Sequence, residues 1–271
     1  MWRATGATGP VAVKLLRPRA LESRQRFDRE IATLRRLISP HAPRILDAGT
    51  HDDALYYVME LVDGIDLQAL VARHGPQSAA RVVELLRQVT TALAEAHEKG
   101  IVHRDLKPAN VMLTLRAGRD HAVVIDYGLA GGLGCDLDAG LPTGKALRGT
   151  PAYLPPEAIT AECEGECDVD GQADVYSLGC LAYWLLSGKL AIDGADAREV
   201  AINHVFTRPE PFEPRLAVPG ALAELVFGCL EKEPADRPTT SALLAALPSL
   251  GVEWSDHDAQ QWWSEHNGRR S

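Results

Sequence analysis

The hydrophobic positions of this chain change period as it runs. A short apolar alternation, Val11-Ala12-Val13-Lys14-Leu15, follows the turn signal Gly6-Ala7-Thr8-Gly9-Pro10 and predicts a hairpin feeding a strand. Phe27, Ile31, Leu34 and Ile38 then recur at steps of four, three and four, which predicts one face of a helix. Leu55-Tyr56-Tyr57-Val58-Met59-Glu60-Leu61 predicts a buried strand, broken by Asp63-Gly64. Between Ser78 and Lys99 the pattern is helical throughout. Val82, Leu85, Leu86, Val89, Leu93 and Ala96 share a face, Ser78 is placed as N-cap and Gly100 as the stop. Residues 111–115 and 122–125 flank a polar turn over 116–120 and predict a second hairpin. Residues 131–149 are glycine-rich and read as loop, and Asp174 opens an apolar helix running to Leu186.

Composition narrows the function classes. A chain of 271 residues can bury a substantial core in one large domain or two lobes. With 28 basic and 37 acidic residues the net charge is −9, which argues against nucleic acid or an anionic membrane as main partner. A local anion site stays open. The longest apolar run, near 175–186, contains Ser177 and Gly179 and is too short to span a bilayer. The cysteines are 135, 163, 167, 180 and 229. Their odd count and irregular spacing, with no signal peptide, predict reduced thiols in a cytoplasm. Cys163-x-x-x-Cys167 would be half a metal site, but no second pair exists and His204 is distant, so an exposed loop with two thiols is the better reading.

The candidate chemistry lies at His103-Arg104-Asp105-Leu106-Lys107-Pro108-Ala109-Asn110. Asp105 can accept the proton of an attacking hydroxyl, Lys107 can neutralise a moving phosphate, and Asn110 can hold a metal through its amide oxygen. The set suits phosphoryl transfer. His-Arg-Asp-Leu-Lys-Pro-x-Asn resembles the catalytic loop of eukaryotic-like bacterial serine/threonine protein kinases. The resemblance implies an α+β, bilobal fold. A small β-rich lobe would occupy residues 1–62, a large mainly helical lobe 63–250 and a helical tail 251–271. It also implies ATP and Mg²⁺ as cofactors, and protein substrates with Ser or Thr hydroxyls.

Further positions take roles from the same resemblance. Val-Ala-Val-Lys looks like the family's phosphate-gripping strand, with Lys14 as its lysine. Glu30 is the preferred ion-pair partner of that lysine, over Glu22 and Asp28. Met59 would guard the back of the adenine pocket, with the backbones of Glu60 and Val62 on the adenine edge and Ala12 and Met112 above and below the ring. Asp126 would join Asn110 as a Mg²⁺ ligand, since both offer hard oxygen donors. Asp126-Tyr127-Gly128 departs from the family's Asp-Phe-Gly, and the extra hydroxyl needs a partner or solvent. Thr150, in Gly149-Thr150-Pro151 before Pro155-Pro156-Glu157, would hydrogen-bond Asp105 and Lys107 and mark Ser/Thr specificity. Thr143 is the candidate phosphorylation site on the loop, with Arg104 to bind the phosphate. Asp174 would accept from the catalytic-loop backbone, and Arg237 would pair with Glu157. Each position also has a plainer reading: a solvated strand lysine, a helix carboxylate flanked by arginines, ordinary core packing, or a turn.

The family's glycine-rich loop, G-x-G-x-x-G-x-V, has no counterpart in the 13 residues before Lys14, because Gly6 and Gly9 fall in the turn. The expectation is a small lobe without the first strand and the phosphate-covering loop. An upstream start, a fragment and a degenerate kinase all account for it. The last would be a non-catalytic scaffold binding nucleotide or protein. A small-molecule kinase of related fold ranks behind both, because such enzymes generally lack the Gly-Thr…Pro-Pro-Glu segment. In the tail, Ser255-Asp256-His257-Asp258 has capping-box character, and Trp262 and Trp263 are expected to pack on the large lobe, with a partner-docking helix as the alternative.

Overall fold

Four short strands build the small lobe. Strands β1 (Trp2–Gly6), β2 (Gly9–Leu16), β3 (Ile45–His51) and β4 (Ala54–Glu60) form an antiparallel sheet of order β1-β2-β4-β3. The computed structural model describes residues 1–6, 9–16, 22–51, 54–127, 151–164 and 170–266. Opposed pairs Ala12–Met59 and Lys14–Tyr57 put these four side chains on one face of β2 and β4. Helix α1 (Glu22–Leu34) shares a core with that face through buried Phe27, Ile31 and Leu34. It stops at Leu34. Ile38, expected on its buried face, is therefore 78% exposed, and Leu37 enters the core instead.

The chain crosses into the large lobe at Gly64, where a Cβ would stand 2.3 Å from the Leu113 carbonyl oxygen. Only glycine permits so close an approach. Strand β5 (Ile65–Asp66) pairs with β6 (Val111–Arg116), and β6 with β7 (Arg119–Val124). The β6–β7 turn is tighter than the pattern predicts. It consists of Ala117 and Gly118, both at positive φ (50° and 79°), the requirement of a two-residue primed turn. Strand β7 therefore begins at Arg119, and Asp120 is a buried strand residue rather than part of a polar turn.

Helices carry the rest. Asp66 caps α2 (Leu67–His74) by accepting from the Ala69 N–H at 2.7 Å. Ser78 caps α3 (Ala79–His97), and Gly100 follows that helix at φ 71°, as expected. Past α4 (Pro156–Glu164), helix α5 (Gly171–Ser187) is buried along nearly its whole length. Its Gly179 lets the chain at Cys229 and Leu230 approach, since a Cβ there would meet both at 2.9 Å. Helices α6 (Ala197–Phe206), α7 (Gly220–Cys229), α8 (Thr240–Ala246) and α9 (Asp256–His266) complete the lobe. The expected capping box forms: Asp258 accepts from the Ser255 N–H at 2.8 Å, and the Asp258 N–H donates to Ser255 Oγ at 3.2 Å. Trp263 is buried, as expected for packing on the large lobe. Thr143, Thr150 and Cys167 lie outside the described residues.

Candidate active site

The loop 103–110 is held by a single buried carboxylate. Asp174, 1% exposed near the start of α5, accepts from the His103 N–H at 2.8 Å and the Arg104 N–H at 2.9 Å. His97 Nε2 also lies 2.8 Å from it. These contacts over-determine Arg104, a non-glycine residue at φ 63°, a conformation that costs on the order of 1–3 kcal/mol. His103 ties the loop to the strand behind it. Its Nδ1 accepts the Asp105 N–H at 3.2 Å, so Nε2 carries the proton and donates to the Ile125 carbonyl at 2.9 Å.

Asp105, Lys107 and Asn110 converge. Lys107 Nζ lies 2.9 and 2.8 Å from the two Asp105 carboxylate oxygens. The Asn110 amide nitrogen donates to the Asp105 carbonyl at 2.7 Å and to its Oδ2 at 3.0 Å. With its NH₂ turned to Asp105, Asn110 is left its amide oxygen as a donor to a cation. The Ile125 N–H donates to the Asn110 carbonyl at 2.9 Å, which sets Asp126 next to the loop.

Asp126 is the second centre. It too has positive φ, 64°. Its Oδ1 takes Lys14 Nζ at 2.9 Å and the Tyr57 hydroxyl at 3.3 Å. The cross-strand register explains this, because Lys14 and Tyr57 project from opposed positions on one sheet face. Burial, then the Asp126 charge, push the Tyr57 hydroxyl far above its ordinary pKa, so it stays a donor. Among the described residues Lys14 thus pairs with Asp126, and Glu30, its expected partner, lies half-buried on α1.

The remaining predicted positions lie on β2, β4, β6 and the connector after β4. Ala12 and Met59 are buried and opposed across β2 and β4, while Met112 on β6 is half-buried. The Glu60 side chain is engaged by Arg44, whose Nε lies 2.6 Å away, and the Glu60 N–H by the Arg44 carbonyl at 3.1 Å. Val62 lies in the irregular connector after β4, and among the described residues no hydrogen bond engages its backbone.

The pattern of the protein kinase domain matches residues 3–247. The chain belongs to the protein kinase family. It is 34% identical over 258 residues to the serine/threonine-protein kinase pkn3 of Myxococcus xanthus, covering 90% of this chain and 45% of that protein. It is 36% identical over 240 residues to the serine/threonine-protein kinase PkaA of Streptomyces coelicolor, covering 88% and 42%. The chain thus spans less than half the length of these two relatives. Among solved structures it is similar to Rad53 (residues 1–466) in complex with AMP-PNP, with a TM-score of 0.73 and 27% identity over 89% of this chain and 59% of that one. The α+β kinase fold, with a small antiparallel sheet lobe and a helical large lobe, is as the resemblance implied.

One departure of this kinase domain has a measurable cost. Tyr127 stands where the family has phenylalanine, and its ring packs 4.8 Å from His103. Among the described residues the hydroxyl finds no partner, and it is shielded from solvent. Burial, with the charges of Asp174 and Glu95, holds its pKa well above normal. Tyr127→Phe is therefore expected to stabilise the domain by about 1 kcal/mol. Thermal melting should show a rise of roughly 2–4 °C. An unchanged or lower midpoint would refute this account of the hydroxyl.

Proposed function

We propose that this chain transfers the γ-phosphoryl group of ATP to serine or threonine hydroxyls of proteins. The observation that carries the reading is the convergence of Asp105, Lys107 and Asn110 at hydrogen-bond distance. Asp105 orients the substrate hydroxyl and accepts its proton. Lys107, already beside that carboxylate, places positive charge where the phosphoryl group passes. Lys14 orients the phosphates, with Glu30 on the neighbouring helix as the group expected to support it. Ala12 and Met112 bracket the adenine, and the Glu60 and Val62 backbones meet its edge.

The donor set fits Mg²⁺. The Asn110 amide oxygen and the Asp126 carboxylate are hard donors, and Mg²⁺ is ordinarily held by one or two such groups together with phosphates. Asn110 and Asp126 would hold the ion, which would neutralise phosphate charge there. Asp126 meanwhile holds Lys14 at the same site through its other contact.

The relatives support Ser/Thr phosphotransfer by their names, and they give no support to the alternative of a non-catalytic scaffold. Thr143 remains our candidate for loop phosphorylation, with the exposed Arg104 side chain as its phosphate ligand. We place the protein in the cytoplasm, where ATP and reduced thiols coexist. Cys180 and Cys229 are free and buried, and burial pushes both thiols up to about 12. No helix among the described residues is long and apolar enough to cross a membrane.

The test is to incubate the purified chain with labelled ATP, Mg²⁺ and a generic basic protein, beside Asp126→Ala. Label in the wild type alone is the expected result. Equal label in both would remove Asp126 from the mechanism. No label in either, with no measurable Mg–ATP binding, would overturn the assignment.

A further inference from the structure

Helix α9 lies outside the residues that match the kinase pattern, yet it completes a polar network rooted inside them. Arg81, at the start of α3, is 1% exposed, and Asp120, on β7, is 4% exposed. Arg81 Nε donates to Asp120 Oδ2 at 2.7 Å and Nη2 to Oδ1 at 3.2 Å, while Nη1 donates to Gln77 Oε1 at 2.8 Å. The Trp263 indole N–H donates to the same Asp120 Oδ1 at 2.6 Å. Trp262 lies over the Arg81 guanidinium, 3.8 Å from ring centroid to carbon, and Trp254, just before α9, lies 5.1 Å from it. Arg119 and Asp256 pair at 2.9 Å at the edge of this contact.

The aromatic cover changes what the ion pair does. An Arg–Asp pair facing water holds its side chains weakly. Beneath two indoles, with a third donating to the carboxylate, the same pair fixes β7 to α3 in one geometry. The hydrogen bonds then continue along the strand. Gln88 donates to the Asp120 carbonyl at 2.9 Å and accepts from the Ala122 N–H at 2.8 Å. The Val124 N–H goes to the His41 carbonyl at 2.8 Å, the Ile125 N–H to the Asn110 carbonyl at 2.9 Å, and Asp126 is next. The paired strand β6 carries Met112 and begins directly after Asn110.

We infer that α9 is a clip that positions the catalytic centre: by seating Trp263 on Asp120 and Trp262 on Arg81 it sets the β6–β7 hairpin, and through it Asn110 and Asp126. Trp262, Trp263, Arg81 and Asp120 are positioning residues, acting through the hairpin rather than touching the reactants. The catalytic consequence rests on the kinase reading. The positioning itself does not.

The experiment compares the full chain with Trp262→Leu/Trp263→Phe by hydrogen exchange. Trp263→Phe keeps a ring but loses the N–H, and serves alone should the double variant fail to fold. The Val124 and Ile125 amides are expected to exchange about 10-fold faster, while Val175, Leu178 and Leu181 of α5 keep their rates. With that change, the Mg–ATP dissociation constant should rise about 3- to 10-fold and kcat fall, with the KM for protein substrate unmoved. Unchanged exchange at 124 and 125, or a rise shared equally by α5, would overturn the clip. A wild type that binds no nucleotide would overturn the kinase reading, and the exchange contrast would still decide the clip.

Discussion

Asp105→Ala is expected to lower phosphoryl transfer by about 10²–10⁴-fold, the usual worth of a positioned general base. The fold should survive it. The Asp105 side chain is 40% exposed, and its partner Lys107 is near enough to solvent to keep its charge hydrated. Asn110 still donates to the Asp105 carbonyl, and the loop backbone is still held by Asp174. Asp105→Asn should fall by a similar factor. It keeps an acceptor for the Lys107 ammonium but offers no carboxylate to take a proton. Initial rates with labelled ATP, read beside thermal melts, give the answer. Wild-type rates in either variant would remove Asp105 from the chemistry. A midpoint lowered by many degrees would make the residue structural instead.

The short motifs were legible because their chemistry demands particular residue types at fixed spacing. The 103–110 stretch leads to a loop in which Asp105, Lys107 and Asn110 do meet. The long helix with Ser78 as cap, the α5 core helix, the Arg237–Glu157 pair and the Asp174 anchor also follow from local pattern or from the family's spacing. The misses are of one physical kind. Arg81 and Asp120 are 39 residues apart, and Trp263 lies 143 from Asp120, so only the folded chain joins them. Asp120 was hidden inside a stretch that read as turn, because Ala117-Gly118 turns the chain in two residues. Tyr57 read as core packing, and its hydroxyl reaches Asp126 only because β2 and β4 place it opposite Lys14. Ile38 was assigned to a helix face on periodicity, which cannot see that α1 ends one turn earlier.

Arg237→Ala should cost about 3–5 kcal/mol of stability, the scale for breaking a buried pair. The guanidinium is fully buried, and all five of its N–H groups are used. Nε donates to the Glu231 carbonyl at 2.8 Å, Nη1 to Glu157 at 2.6 Å and the Gln172 carbonyl at 2.9 Å, and Nη2 to Glu157 at 2.8 Å and the Lys232 carbonyl at 2.9 Å. The cation also lies over the Tyr176 ring, 4.9 Å from its centroid. Truncation therefore strands three carbonyls, leaves the partly exposed Glu157 carboxylate without its partner, and opens a cavity between α4, α5 and the segment after α7. At roughly 2–4 °C per kcal/mol, the melting midpoint should fall by about 10 °C or more. The pair itself contributes far less than this, because bringing both charges out of water costs much of what their attraction returns. Arg237→Met combined with Glu157→Leu removes both charges and fills part of the space. It should recover a large share of the loss, giving a strong positive coupling in a double-mutant cycle. If Arg237→Ala melts within about 2 °C of the wild type, the buried fork is not the lock that the geometry describes. If the double replacement is no better than the single, the damage comes from lost volume and lost carbonyl donors rather than from the stranded charge.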